Sequence, residues 1–316
     1  MNFDLTDDQE ALRDGIRAVC DGRFAMARVR GGFDRSMWDE LAETGVFSLL
    51  TDGFGWADAA IAFEELGRAV VPGPLVWGVL AHGLVDGVVG GVEVSSAGSP
   101  EGSPVGSGPI MVEHLDALDA LIVVGDDGAA RVEPSTVSGE LLDWPLDPLT
   151  PIRRVESLPA GEPIADAATV TSWRLQGAVL TAAFQTGMAQ VCIEAATEYS
   201  LGRKQFDRPI GSFQAVKHML ADAVVRAEVA RTAVHAAAVT LDDPEVGDVD
   251  RAVAGAKLLA GEAALKNART SVQVHGGMGF TWEVDAHLYL KRAWLLDTAF
   301  GSSATHADAL AASVSA

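Results

Sequence analysis

From about residue 170 onward, apolar side chains recur at helical spacing over a length that a helical bundle uses best. Leu175, Ala178, Val179, Ala182, Ala183, Ala189, Cys192, Ile193 and Ala196 form one stripe at three-to-four spacing. Val216, Met219, Leu220, Ala223, Ala227, Ala230, Val234, Ala237 and Leu241 form a second. A third helix is predicted from about Asp250 to His275, ending at Gly276-Gly277, and a fourth from about Trp282 to Ala299. Helices this long and Ala-rich, joined by short loops, pack naturally as an antiparallel four-helix bundle. No internal repeat and no sustained heptad accompanies them.

Upstream the texture is different. Residues 1–94 read as helical. Thr6 and Gln9 have capping-box spacing, with Asp7 and Asp8 in the first turn where the helix dipole favours negative charge. A second helix is expected from Arg35 to Thr44, with Trp38 and Leu41 inward and Gly45 as its stop. A third spans about Ala57 to Val70 and halts at Pro72-Gly73-Pro74, where a fourth begins. Residues 95–168 form a small β region. It opens with a Gly/Ser/Pro-rich linker, Ser95 to Pro109, and continues with the strand–turn–strand signature of Ala120–Val124, Gly125-Asp126-Asp127-Gly128 and Ala129–Val132. Ile152 to Val155 is a further candidate strand. The expected class is mainly α with a small β-domain, divided at 1–94, 95–168 and 169–316.

Composition narrows the function. The chain has 316 residues, 23 Lys+Arg against 44 Asp+Glu, and a formal net charge of −21. Such an excess repels phosphate backbones and anionic headgroups, which argues against nucleic-acid or membrane-surface partners. The most apolar stretch, Leu75 to Val94, is broken by His82, Asp86 and Glu93, whereas crossing a bilayer takes about 20 uninterrupted apolar residues. Met1 to Leu5 lacks the basic start and apolar run of a signal peptide, and Cys20 and Cys192 are too few for a disulfide framework. Both features point to a cytoplasmic protein. The seven histidines are scattered without metal-ligand spacing.

Two segments carry chemistry. Arg203-Lys204-Gln205-Phe206-Asp207-Arg208-Pro209-Ile210, with Phe213 and Gln214 beyond, concentrates three cations between the first two bundle helices. Such cations suit a phosphoryl anion, with Arg203 able to donate bidentately; equally, they suit the capping of helix C-termini. Gln273-Val274-His275-Gly276-Gly277-Met278-Gly279-Phe280 follows the third helix. Its glycines let a backbone approach a ligand closely; the plainer reading is a Gly C-cap and a turn, with His275 structural. Loops after alternate bundle helices fall on one end of the bundle, which favours one shared ligand site.

These paired motifs, with Asp7-Asp8-Gln9 and Glu64-Glu65-Leu66-Gly67-Arg68, resemble the acyl-CoA dehydrogenases over most of the chain. The resemblance implies a helical N-terminal domain, a central β-domain and a C-terminal four-helix bundle, with FAD at a subunit interface. It implies that Arg203, Gln205, Phe206 and Gln214 meet the pyrophosphate and adenine half of FAD across the dimer, and that Gln273, Gly276 and Gly277 line the adenosine end.

The departures from the family pattern are equally specific. The family's Thr-Glu-Pro-x-x-Gly-Ser-Asp and Trp-x-Thr/Ser stretches, which cradle the flavin ring, have no counterpart in residues 95–165; Ser99-Pro100-Glu101-Gly102-Ser103 is a superficial echo. The β-domain is shorter than the family's. Phe300 stands where the family has its catalytic Glu, and the other known location of the base falls near Gly177. Asp297, one turn before Phe300, is the candidate substitute. The chain thus resembles the short, degenerate subunits of actinobacterial heteromeric (α2β2) dehydrogenases that act on steroid side-chain CoA esters. The expected function is one subunit of a FAD-dependent enzyme that dehydrogenates an acyl-CoA thioester, with a second acyl-CoA dehydrogenase-like chain supplying ring cradle and base, and an electron-transfer flavoprotein as acceptor. The competing readings are a self-sufficient homo-oligomer with Asp297 or Glu283 as base, and a non-catalytic scaffold.

Overall fold

The computed structural model describes residues 5–94 and 109–315. The linker expected over 95–109, including the Ser99–Ser103 echo, lies outside the described residues except for Pro109, as does the N-terminal stretch 1–4. In chain order the elements are α1 (Asp7–Arg23), α2 (Met26–Val29), α3 (Arg35–Glu43), α4 (Trp56–Arg68), α5 (Leu75–Leu80), β1 (Val89–Glu93), β2 (Ile110–Glu113), β3 (Ala120–Val124), β4 (Gly128–Val132), β5 (Gly139–Leu141), β6 (Ile152–Val155), β7 (Glu162–Asp166), α6 (Ala167–Gly202), β8 (Lys204–Gln205), β9 (Arg208–Pro209), α7 (Gln214–Asp242), α8 (Val249–His275), α9 (Ala286–Asp297) and α10 (Ser303–Ser315). They fall into two units that interleave along the sequence, one of residues 1–27, 55–71 and 178–316, the other of 28–54 and 72–177.

In the helical unit, α1 starts on a complete capping box: Gln9 N donates to Thr6 Oγ1 and Thr6 N donates back to Gln9 Oε1, both at 3.2 Å. The four predicted bundle helices are α6 to α9. The centre of α6 departs from the expected one-sided stripe, because every residue from Ala178 to Ala189 is buried. A helix apolar all round is a core helix rather than a surface one. The bundle helices α7 and α8 are likewise rich in alanine (Ala223, Ala227 and Ala230 on α7; Ala256, Ala260 and Ala264 on α8), all almost completely buried. Two glycines permit a still closer approach of α4 to α6. A Cβ on Gly67 would lie 2.0 Å from the Phe184 carbonyl oxygen, and one on Gly187 would lie 1.9 Å from the Glu64 carbonyl oxygen. The two backbones touch at this crossing, and each helix supplies the missing side chain.

Around the crossing lies an ionic network. Arg17 grips Glu65 through Nε and Nη2 at 2.9 and 2.7 Å, and Arg68 grips Glu194 at 3.0 and 2.7 Å. Arg231 Nε donates to Glu64 Oε1 at 2.8 Å, while its Nη1 donates to Glu228 at 2.7 Å. These pairs tie α1, α4, α6 and α7 together and border a cavity of about 440 Å³ that His235 also lines. Burial opposes the charge on Glu64, but His235 and Arg231 outweigh it and hold the carboxyl below the usual carboxylate range. The Glu64-Glu65-Leu66-Gly67-Arg68 motif is thereby accounted for by packing and charge pairing inside the unit.

The second unit holds the β structure. One sheet has the order β1-β3-β4-β7, with β1 parallel to β3 and the other pairs antiparallel; the other has the order β2-β6-β5. The predicted hairpin is β3–β4, closed by Gly125 N donating to Gly128 O at 2.9 Å, and the predicted strand at 152–155 is β6. The helical reading up to residue 94 is corrected: α5 stops at Leu80, and Val89–Glu93 is strand. Its Val-Gly-Gly-Val run pairs with β3, and the two central glycines leave no apolar–polar alternation to tell a strand from a helix. On α3 and the segment after it, the buried Trp38 and Phe47 stack at 4.1 Å between ring centroids.

Candidate functional site

The loop between α6 and α7 folds into a miniature hairpin. Lys204 pairs with Pro209 and Gln205 with Arg208, leaving Phe206 and Asp207 as a two-residue turn with φ of 52° and 63°. Left-handed φ at both turn positions matches the twist of a hairpin, and Asn-Gly is the usual solution. A bulky Phe there is strained, by about 1–3 kcal/mol. The hairpin is braced from its base: Ile210 N donates to Arg203 O at 2.8 Å, and the Arg208 guanidinium lies 4.1 Å from the centre of the Phe213 ring, against which Phe206 packs edge-on at 6.1 Å. Arg203, Lys204, Gln205, Phe206 and Arg208 are all exposed, Phe206 at 86%. Gln214, also exposed, is the first residue of α7. Its neighbour Phe213 offers no side-chain cap, so the α7 N-terminus is open beside the hairpin.

Gly276 ends α8 with φ +63° and ψ −138°, a conformation that an L side chain resists. A Cβ on Gly276 or Gly277 would meet nothing within 4 Å, whereas one on Gly279 would strike the Val272 carbonyl oxygen at 2.6 Å. The glycines thus divide by cause: Gly276 and Gly277 leave open backbone, and Gly279 is required by packing. Gln273 is exposed, one turn before Gly277.

Tyr199 joins the two loops. Its carbonyl accepts from Arg203 N at 2.8 Å, and its ring lies 4.4 Å from that of His275, whose Nδ1 is 2.8 Å from Ser271 O. The structure therefore brings the Arg203–Gln214 and Gln273–Gly277 segments to the same end of the bundle and places His275 beneath them, buried and structural. Spacing did not single out Tyr199; its one signal is an aromatic ring near the end of an Ala-rich helix.

The turn after α9 has a different character. Phe300 again takes a positive φ, 52°, followed by Gly301 at 94°. The Phe300 carbonyl lies 2.9 Å from Nε2 of His306 on α10, and burial pulls the His306 imidazole below its usual pKa. Asp297 accepts a hydrogen bond from Ser303 at Oδ1. Beneath the turn, Lys257 is 1% exposed and donates to the Leu296 and Asp297 carbonyls at 3.0 and 3.4 Å, capping α9. Burial pushes the Lys257 ammonium down to about 8, with Asp297 opposing. Glu283 is exposed in the segment before α9, and Gly177 lies in the first third of α6.

The two thiols are buried; burial pushes Cys20 up to about 12 and raises Cys192 further, so neither is poised as a nucleophile. Among the described residues no cluster of His, Cys, Asp and Glu could hold a metal ion, and no helix is long and apolar enough to cross a membrane.

Comparison with known proteins gives this architecture its family. The model of the acyl-CoA dehydrogenase N-terminal domain matches residues 6–89, and that of the C-terminal domain matches residues 169–315. Acyl-CoA dehydrogenase IpdE2 of Mycobacterium tuberculosis is 37% identical over 292 residues, covering 86% of this chain and 84% of that protein. The fold superposes on the ChsE4-ChsE5 complex from Mycobacterium tuberculosis with a TM-score of 0.84 at 23% identity, covering 100% of this chain and 99% of that one. For the Tcur3481-Tcur3483 steroid ACAD G363A variant the TM-score is 0.80 at 22% identity, covering 98% of each chain. With family models matched on both sides of the central β region and a relative of this identity along most of its length, the chain belongs to the acyl-CoA dehydrogenase family of oxidoreductases.

Proposed function

We propose that this chain is one subunit of a heteromeric, FAD-dependent acyl-CoA dehydrogenase that desaturates the steroid side chain of a CoA thioester. The observation that carries the reading is the contrast between the two ends of its chemistry. The motifs that resemble the family's FAD contacts form a preshaped, exposed platform, while the turn where the resemblance puts the family's base presents Phe300. Solved structures of the same fold include the ChsE4-ChsE5 complex and the Tcur3481-Tcur3483 steroid ACAD variant, each bearing two names.

The residues present fit a dinucleotide. Arg203, Lys204 and Arg208 are exposed cations in an acidic chain, Gln205 and Gln214 add amide donors and acceptors, and the open backbone of Gly276 and Gly277 admits close approach. Arg203, Gln205, Phe206 and Gln214 would meet the pyrophosphate and adenine half of FAD across the dimer, and Gln273, Gly276 and Gly277 would line the adenosine end. When bound, FAD supplies the acceptor for the β-hydride of the acyl group. The α-proton needs a carboxylate. In this chain Asp297 has one oxygen engaged by Ser303 and lies over the buried Lys257, so the base is assigned to the partner chain. An electron-transfer flavoprotein is the proposed acceptor of the electrons.

Substituting Arg203 by Ala in the reconstituted complex tests the platform. FAD affinity is expected to fall about tenfold or more, the loss of a charge-assisted hydrogen bond, with the assembly intact by size-exclusion chromatography. Unchanged affinity in an intact assembly would favour the scaffold reading instead.

A further inference from the structure

Deep in the helical unit, polar groups from three helices face a position where α8 has no side chain. Thr181 and Gln185 lie one turn apart on α6 and are 1% and 0% exposed. Among the described residues, neither the Thr181 hydroxyl nor either terminal atom of the Gln185 carboxamide has a hydrogen-bond partner. Opposite Gln185 is Gly261 of α8. A Cβ built there would lie 3.4 Å from Ser303 Oγ, 3.5 Å from Asp297 Oδ1 and 3.7 Å from Gln185 Nε2. These are ordinary contact distances, so a methyl group would fit sterically. The glycine is therefore not required by hard packing, in contrast to Gly67 and Gly187.

We infer that this gap is a binding site for a single ordered water that links Gln185 to Asp297. A buried carboxamide without partners is costly, and a buried water is held by two to four polar groups, a number that Gln185, Asp297 and Ser303 supply. The charges select a neutral ligand. Lys257, one turn before Gly261 and bonded to the Leu296 and Asp297 carbonyls, opposes a cation, and the Asp297 carboxylate opposes an anion. A ligand that both donates and accepts satisfies the carboxylate and the carboxamide together. The water accepts from the Gln185 amide and donates to Asp297 Oδ1, which also accepts from Ser303. It thereby pins the core helix α6 to the α9–α10 turn that carries Phe300. This assignment is independent of the cofactor reading.

The test pairs a high-resolution crystal structure of the full chain, in whatever assembly it purifies, with the thermal midpoint of Gly261→Ala. The structure is expected to show an ordered oxygen within about 2.7–3.2 Å of both the Gln185 carboxamide and the Asp297 carboxylate. The alanine methyl is expected to expel that oxygen and lower Tm by about 2 °C or more, although alanine is the better helix former. A gap without ordered density, or a Tm that rises as helix propensity alone would dictate, overturns the proposal. Should the variant fail to fold, the density in the unsubstituted chain decides the matter.

Discussion

Replacing Gly187 with alanine is expected to destabilise the chain by at least about 3 kcal/mol, and Gly67→Ala to do the same. The added Cβ would sit 1.9 Å from the Glu64 carbonyl oxygen in the first case and 2.0 Å from that of Phe184 in the second. Both obstacles are backbone in the middle of helices, so no rotamer change relieves them, and α4 must move away from α6. That movement would also break the charge pairs around Glu64 and Glu65. Gly255 provides the control, because it lies inside α8 with nothing within 4 Å of its would-be Cβ. There alanine is expected to stabilise by about 0.5–1 kcal/mol. Urea denaturation of the three variants measures the sign directly; a Gly187→Ala protein as stable as the parent would mean that the crossing is looser than described.

The second large effect is expected at Glu64. Glu64→Gln keeps the shape but leaves Arg231 with its Nε facing a neutral amide and His235 without a carboxylate, whose Oε2 lies 3.6 Å from its Nε2. Breaking a buried pair from one side costs about 3 kcal/mol or more. The effect has a pH signature with a definite sign. Against burial, His235 and Arg231 hold the Glu64 carboxyl below its ordinary value in the folded state, so its contribution is fully present above the unfolded value and is lost as pH falls through the folded one. Parent and variant stabilities should therefore converge as the medium is acidified below about pH 4.5, the ordinary range of a glutamate carboxyl. A constant difference across that range would show that the loss is packing rather than charge.

Much of this architecture was legible because helical periodicity leaves a long trace in sequence. The stripes of Val216 to Leu241 and of Asp250 to His275 correspond to α7 and α8 within a few residues, and the Asp-Gly turn marks the β3–β4 hairpin. Periodicity was uninformative in two places: α6 reads as a stripe yet is enclosed from Ala178 to Ala189, and β1, with Gly90-Gly91 at its centre, shows no alternation and reads as helix. The final helix α10, Ser303–Ser315, lacks a strong apolar repeat and was not anticipated. At the candidate site, residue types gave the cations and glycines, but not the device that aims them. Nothing local in Phe206-Asp207 announces a turn with two positive φ values, since that conformation is imposed by the flanking pairs and by Phe213. Likewise the contact of Tyr199 with His275 joins residues far apart in sequence. The motif Glu64 to Arg68 is explained by a crossing whose other half, Gly187, lies on another helix.

Counting flavin on the purified chain tests the central claim most directly, first alone and then after co-expression with a second, complete acyl-CoA dehydrogenase chain. Alone, the chain is expected to carry less than a full complement of FAD and to leave acyl-CoA thioesters unoxidised. In the heteromer both FAD and dehydrogenation are expected. A chain that alone binds one FAD per protomer and oxidises an acyl-CoA thioester would contradict the account.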